Sequence, residues 1–594
     1  MSDLEDVLAS NPRVAAFLRG NPRHRGAAEA LVVAGLGGTI AKYVECLDDA
    51  GMATFFADVA GRDFAWIRAH RDALLHGHGT GAPEASDLAP IEPGTLDGPG
   101  RAAFEAAGRA SLAAGEWASL VFAGGAATRF YSHGSADPRL AALTERFHGN
   151  PPKGLFPLTP VAGRCFLDLF LAEALAAGVE AGRMPVVVLM TSRVTDQPTR
   201  EWVETAPLKG FPRRLLVVLG QTEQPRLDPD GDLVVGPDGR LVVTGDGHGG
   251  VYKALLAPGP DGVSVAARLG ESGVRRVVLH NVDNASSWPF EPARLGFHAA
   301  GGHAFTMTVV PRARLSEKVG LVARNVKTGA IEVVEYSVCP KEVTEAAAAE
   351  GTPLYRLAHI NTNLADLRAI RPDVPPTLYT GKKVEIGGRV VESSSFEMLN
   401  QHLSGLLPAA SVGVLLVDRH SYFHPTKSLS GEDSLEETTA ALAAEAADRL
   451  RAAGASVDPT ALVEIDPCLP DLAGAGVGDG WVVGPGAAVY LGVREGAGGR
   501  AWGPGLRVGA GARLEVHASM PYGDVQVAAD RQVTLDPSRA GRLSLGRDVV
   551  VEDGADVRIR IEGDGCAMIP DGARLRGRID LFVPAGARRV VGSP

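Results

Sequence analysis

Cysteine, lysine and aromatic residues are all scarce in this chain of 594 residues. Its five cysteines (Cys46, Cys165, Cys339, Cys468 and Cys566) lie far apart and form no CxxC pair. That spacing argues against a disulfide framework and a structural zinc site. No apolar run approaches the ~20 residues of a membrane span. The acidic start MSDLEDVLASNPRV lacks the basic and apolar regions of a secretory leader. A soluble protein of the reducing cytoplasm is expected. The formal net charge of −11 argues against general binding to nucleic acid or to an anionic membrane. It leaves room for a local basic pocket. Only ten of the 59 basic residues are lysine. A lysine is therefore less often surface filler here, which draws attention to Lys153, Lys318 and Lys427.

The length exceeds what one hydrophobic core supports, so two to four domains are expected. Residues 1–115 carry apolar residues at helical spacing, as in RVAAFLRG and AWIRAHRDALLHG, and read as a helical N-terminal region. The GLGG at 35–38 follows no strand and lacks the third glycine of a dinucleotide loop, so it reads as a helix-packing cluster. Over 116–455 short apolar runs (ASLVFAGG, MPVVVLMTS, RRLLVVLGQ, VRRVVLHNVDN) alternate with helical stretches. This predicts an α/β domain with a mainly parallel sheet. Ligands of such sheets bind at the carboxyl ends of strands, which singles out Gly124, Gly125, Thr191, Ser192, Gln221 and Asp283. Over 456–594 lysine vanishes and a degenerate unit recurs: VGPGAAV, VGAGARL, VEDGADV, IPDGARL, VPAGARR. A β-branched residue followed three positions later by glycine suits stacked short strands with tight corners. The region reads as a β-solenoid-like (β-helix) module, with a small β-sandwich as the competing arrangement.

The stretch SLVFAGGAATRF concentrates the chemistry. Glycines directly after a strand let the backbone approach a ligand, and their amides point at an anion or a base edge. Arg129 offers a fork for phosphate oxygens, and Lys153 a compact positive charge.

Taken in order, these features and those that follow resemble the UDP-sugar pyrophosphorylase family, the UTP:sugar-1-phosphate uridylyltransferases. The resemblance runs from about 120 to 428 through Gly124-Gly125 with Thr128-Arg129, Pro152-Lys153-Gly154, LMTS (189–192), GQTEQP (220–225), GDGHGGVYKAL (245–255), NVDNAS (281–286), SEKVG (316–320), VVEYS (333–337), INTNL (360–364) and YFHPTKS (422–428). It implies a Rossmann-like, GT-A-like nucleotidyltransferase domain between a helical N-terminal region and a C-terminal β-helix. It implies in-line attack of a sugar-1-phosphate on the α-phosphorus of UTP, giving UDP-sugar and pyrophosphate. By the same resemblance Arg129, Lys153 and Lys427 meet phosphate, and Asp283 holds Mg²⁺. Gln221, with the backbone at Gly249 and Gly250, reads uracil. Glu335, Asn361 and Asn363 meet the sugar. Glucose-1-phosphate is the expected acceptor, mainly on the NTNL run, while EKVG leans towards N-acetylhexosamine relatives.

Plainer roles compete for several of these residues. Asp283 suits a turn cap, Glu335-Tyr336 a half-buried strand pair, Asn361 and Asn363 a turn, and Lys382-Lys383 a hairpin flank. His248 and His280 read as ordinary polar residues. The chain also departs from the family pattern. Ala127 replaces a glycine, which matters if that position needs positive φ. Phe130-Tyr131 replaces Leu-Gly, and residues 131–150 look like an insertion with a short helix. A non-catalytic nucleotide-sugar-binding relative is the alternative reading, and the C-terminal module is a candidate surface for homo-oligomer formation.

Overall fold

Runs of aliphatic residues buried on both faces build the centre of the molecule. The computed structural model describes residues 4–77, 85–125, 127–131, 138–147, 151–336, 339–348, 350–469, 471–492, 502–519 and 522–591. The strands up to residue 416 are β1 (Leu88–Ala89), β2 (Gly94–Thr95), β3 (Trp117–Phe122), β4 (Val186–Thr191), β5 (Leu216–Gly220), β6 (Glu223–Pro225), β7 (Val243–Gly245), β8 (Arg276–Asn281), β9 (Phe305–Pro311), β10 (Gly320–Asn325), β11 (Ile331–Val334), β12 (Leu357–Asp366), β13 (Pro376–Ile386), β14 (Arg389–Met398) and β15 (Val412–Leu416). Eleven of them form one sheet, whose main path runs β2-β15-β9-β12-β8-β3-β4-β5. Every residue of β3 and β4 is buried, because helices cover both faces.

The sheet is parallel-rich rather than uniformly parallel. β8, β3, β4 and β5 run parallel, as do β9, β15 and β2. Between these groups β12 lies antiparallel to both β8 and β9, and β10 branches from it carrying β1 and β11. β1 and β2, from the region expected to be helical, are thus part of this sheet. Helices Arg101–Ala113 and Pro292–Ala300 cross closely over it, with a glycine from each at the contact. A Cβ on Gly108 would stand 1.9 Å from Pro292 O, and one on Gly296 1.7 Å from Phe104 O.

The N-terminal helices form their own apolar cluster, which includes Leu31, Phe55 and Phe56. They close it around Leu227, Leu233, Val235 and Leu241 from the excursion between β6 and β7. Gly38 of the GLGG stretch packs there, where a Cβ would stand 2.5 Å from Asp232 Oδ2. Lys42 pairs with Asp228, Asp230 and Asp232 of the same excursion.

Beyond residue 455 the chain builds three parallel sheets. One is made of Ser456–Val457, Val482–Val483, Arg507–Val508, Val550–Val551 and Arg574–Leu575. The second is made of Leu462–Ile465, Ala488–Gly492, Arg513–Ala518, Asp556–Ile561 and Arg578–Val583. The third is made of Arg542–Leu545, Cys566–Ile569 and Arg588–Val590. The recurring unit is visible in the coordinates. Its leading Val483, Val508, Val551, Ile569 and Val583 are buried in one apolar cluster. Its glycines Gly486, Gly511, Gly554, Gly572 and Gly586 have φ of 64, 61, 68, 66 and 73°. A left-handed corner favours glycine because a Cβ would crowd the following carbonyl.

Buried arginines are among the contacts that bind this stack to the rest of the chain. A hairpin, Asp524–Val527 with Val533–Asp536, leaves the stack and sends the buried Arg531 to the carbonyls of Gly115, Met184 and Ser272 at 2.5, 3.0 and 3.0 Å. Elsewhere Arg164 forms a buried ion cluster with Glu464 and Asp466.

Candidate active site

The carboxyl ends of β3, β4 and β8 open into a cleft of about 280 Å³. Its walls are Phe122, Gly124, Gly125, Ala127, Lys153, Met190, Gln221, His248, Asn281, Val282 and Asp283. Five of the residues expected from sequence, Gly124, Gly125, Lys153, Gln221 and Asp283, are therefore gathered in one place from four separate segments. Gly124 is closely packed, since a Cβ would lie 3.2 Å from Ser192 N, whereas Gly125 faces open space.

Lys153 opens a short 3₁₀ turn, Lys153–Leu155, and its Nζ lies 3.1 Å from Asp283 Oδ2 and 2.9 Å from Thr426 O. Asp283 follows β8 directly, and its carbonyl accepts from Thr426 N at 2.9 Å. The NVDNAS and YFHPTKS segments are thereby joined. Asn284 Nδ2 donates to Tyr422 O at 2.9 Å, and Asn284 Oδ1 accepts from His424 N at 3.0 Å. Lys427 does not line the cleft. Its Nζ pairs with Asp433 at 2.7 Å and is 43% exposed, so only its neighbour Thr426 reaches Lys153.

Gln221 donates from Nε2 to Gly247 O at 2.8 Å. Thr222 and Asp246 are hydrogen-bonded beneath it. Burial pushes the Asp246 carboxyl up to about 6. Gly249 and Gly250 lie behind the wall rather than on it. A Cβ on Gly249 would stand 2.7 Å from Met398 C, and one on Gly250 1.9 Å from Asp246 Oδ1. His248 is the residue of that run that reaches the cleft. It is half-buried, and the loss of water, with His359 and His402 nearby, lowers its pKa to about 3 and keeps it neutral. Nδ1 accepts from Asn400 N at 3.1 Å and lies 2.7 Å from Asn400 Nδ2.

Asn361 and Asn363 sit within β12 at an irregularity between His359 and Asn363, where Asn361 adopts φ 51°, rather than in a turn. Asn361 Nδ2 donates to Asn281 Oδ1 at 2.7 Å, while Asn400 Nδ2 donates to Asn361 Oδ1 at 2.7 Å. Asn363 Nδ2 donates to Asn400 Oδ1 at 2.6 Å. Glu335 accepts from Gln401 Nε2 at 2.5 Å, and burial raises its pKa. These residues form a polar layer behind the cleft, tied together by Asn400 and Gln401. Sequence reasoning missed both, and His248 was read as ordinary. The glycines around His248 marked it, whereas Asn400 carries no local sign. Lys318 is exposed, and Lys382-Lys383 lie on the β13–β14 hairpin.

Arg129 falls in the helical turn Thr128–Tyr131, and its side chain lies outside the described residues. Of the 131–150 insertion, Pro138–Phe147 is helical, while 132–137 and 148–150 lie outside the described residues. Ala127 has φ 51°, the conformation in which the family's glycine costs nothing. Left-handed backbone costs a non-glycine residue about 1–2 kcal/mol, and glycine returns about 0.5–1 kcal/mol of that as unfolded-chain entropy. Ala127→Gly is therefore expected to stabilise the protein by about 0.5–1 kcal/mol in urea unfolding. Destabilisation would show that Ala127 packing outweighs the strain.

Among the described residues no group of three or more His, Cys, Asp or Glu side chains is placed to hold a metal. Asp283 is a single carboxylate facing the cleft. That suits a divalent cation such as Mg²⁺, which binds one or two carboxylates and takes its other ligands from water and substrate phosphates. A larger cleft of about 860 Å³ is lined by Asp97, Glu173, Glu180, Glu291, Asp418 and Glu445 against Arg101 and Arg449. Its excess of carboxylates repels a triphosphate, so the smaller cleft is the better candidate. No helix among the described residues is long and apolar enough to cross a membrane.

The family model described as UTP–glucose-1-phosphate uridylyltransferase matches residues 143–371. The chain is 25% identical over 308 residues to UDP-N-acetylglucosamine diphosphorylase 2 of Arabidopsis thaliana, covering 48% of this chain and 60% of that one. It is 30% identical over 272 residues to a probable UDP-N-acetylglucosamine pyrophosphorylase of Caenorhabditis elegans, covering 44% and 49%. The chain thus spans about half the length of the curated relatives it matches. Its fold is similar to that of the uridine diphosphate N-acetylglucosamine pyrophosphorylase of Trypanosoma brucei, with a TM-score of 0.60 at 19% identity over 74% of this chain and 91% of that one. Over the matched segment, which carries Lys153, Gln221, Asp283 and the Asn361–Asn363 pair, the chain is similar to the UDP-sugar pyrophosphorylase family.

Proposed function

We propose that this protein transfers a uridylyl group from UTP to a sugar-1-phosphate, releasing pyrophosphate and forming a UDP-sugar. The observation that carries this reading is the convergence of the Gly124-Gly125 turn, Lys153, Gln221 and Asp283 on one cleft. A phosphate oxygen of the sugar-1-phosphate attacks the α-phosphorus, the bond to the β-phosphate oxygen breaks, and pyrophosphate leaves. Such a displacement needs positioning and charge neutralisation more than an acid or base. Lys153 neutralises charge on the leaving group, and Arg129 assists it. Asp283, paired with Lys153 in this structure, would hold a divalent cation together with the substrate phosphates. When bound there, Mg²⁺ screens the phosphate oxygens from one another. The Gly124-Gly125 backbone admits the nucleotide, and Gln221 meets the base. Lys427 acts through its backbone neighbour Thr426, which holds Lys153.

For the acceptor, N-acetylglucosamine-1-phosphate is the better choice. Both relatives above are named for that sugar, against a family model named for glucose-1-phosphate. Glu335, Asn361 and Asn363 are placed behind the cleft, where they shape the sugar side through Gln401 and Asn400. We also read the C-terminal stack as a β-solenoid, since all its interstrand pairings within the three sheets are parallel.

The test is pyrophosphate release from UTP with a panel of sugar-1-phosphates and Mg²⁺. Turnover with N-acetylglucosamine-1-phosphate is expected to exceed that with glucose-1-phosphate. Release with neither sugar, while UDP-sugar still binds, would instead favour the non-catalytic reading.

A further inference from the structure

The turn that carries Lys153 continues into a small hairpin. Pro157 pairs with Cys165, Leu158 N donates to Arg164 O at 2.8 Å, and Arg164 N donates to Thr159 Oγ1 at 2.8 Å. The tip of this hairpin is gripped by the C-terminal stack. Glu464 Oε2 accepts from Val161 N at 3.2 Å and Ala162 N at 2.9 Å, and its Oε1 accepts from Arg164 Nε at 2.7 Å. Asp466 Oδ2 accepts from Arg164 Nη1 at 3.1 Å and from Tyr490 Oη at 2.9 Å. Arg164, Glu464 and Asp466 are exposed by only 6%, 5% and 1%.

A buried carboxylate that uses both oxygens on one hairpin fixes its orientation, because any rotation leaves a charge or an amide unpaired. The hairpin in turn begins four residues after Lys153. On the other side, Gly154 is pressed against Val282, where a Cβ would stand 2.9 Å from Val282 Cγ2. The Lys153 turn is thus clamped between the strand end that bears Asp283 and a hairpin whose far end belongs to the C-terminal stack.

We propose that Glu464 is a positioning residue for Lys153, so that the C-terminal stack sets the affinity of the cleft for the phosphates of its ligands. This rests on the reading that Lys153 meets phosphate.

A double-mutant cycle in the full-length protein tests both parts separately, using binding of pyrophosphate and of uridine as probes. Lys153→Ala is expected to weaken pyrophosphate binding, and Glu464→Gln to weaken it about tenfold while leaving uridine within about twofold. In the Lys153→Ala background, Glu464→Gln is expected to change pyrophosphate binding by less than about twofold, since the two act through one contact. An independent, additive loss overturns the inference, as does equal weakening of uridine or no effect on pyrophosphate. If Lys153→Ala binds pyrophosphate as the parent does, the phosphate role of Lys153 fails first and the inference with it. Should Glu464→Gln not fold, Thr159→Val removes a bond inside the hairpin and reads the same coupling.

Discussion

Lys153→Ala is expected to lower kcat/KM for UDP-sugar synthesis by about 10³-fold. The lysine is one of the few cationic groups the cleft presents, and its Nζ already lies 3.1 Å from Asp283 in the free protein. Removing one preorganised donor to developing charge typically costs about 10²–10³ in rate, and here the lost group is a full charge. Lys153→Arg is expected to recover only part of the rate, because a planar fork does not replace a compact ammonium at the same reach. The pair sits at a cleft open to water, so urea unfolding should shift by no more than about 1 kcal/mol in either variant. A Lys153→Ala enzyme within about threefold of the parent rate would remove Lys153 from the chemistry.

Arg531→Ala is expected to destabilise the protein by about 3–5 kcal/mol, without touching the cleft. Its guanidinium is buried, and burial, with Arg183 nearby, lowers its pKa to about 10, so it remains charged near neutrality. The three carbonyls it satisfies belong to Gly115, Met184 and Ser272, just beyond helices Arg101–Ala113, Phe166–Ala181 and Val265–Glu271. Three backbone carbonyls from just past three helix ends therefore converge on one cation. Truncation leaves several buried acceptors unpaired at once, each costing about 1–3 kcal/mol before relaxation. Urea unfolding of the full chain measures the effect. A loss under about 1 kcal/mol would mean that water fills the place of the side chain.

Sequence reading went furthest where chemistry demands a particular residue type. The β3 and β4 runs were legible because a strand buried on both faces is built mostly of aliphatic residues. The C-terminal unit was legible because each corner needs a left-handed residue. The Gly124-Gly125 turn, Gln221 and Asp283 were legible as strand-end groups, and Lys153 through the scarcity of lysine and the Pro-Lys-Gly run; the structure gathers them. The positive φ at Ala127 follows the condition the missing glycine raised. Arg531 was not legible, because its partners are backbone carbonyls, which leave no mark on side-chain identity. β12 was not read as a strand, because the polar residues of its INTNL run interrupt the apolar pattern. Asn361 and Asn363 looked like turn residues because their partner Asn400 lies far along the chain.

Under the proposed uridylyl transfer, the bond from Gln221 to Gly247 would bear on which bases are admitted. Gln221 lines the cleft with its amide nitrogen committed to Gly247 O, which leaves its carbonyl oxygen as an acceptor. Uracil offers an imino hydrogen to such a group, whereas cytosine offers a bare ring nitrogen whose lone pair would be repelled. Discrimination between pyrimidines would then originate in a main-chain oxygen that never meets the nucleotide, and mutational scans confined to ligand-contacting side chains would overlook it.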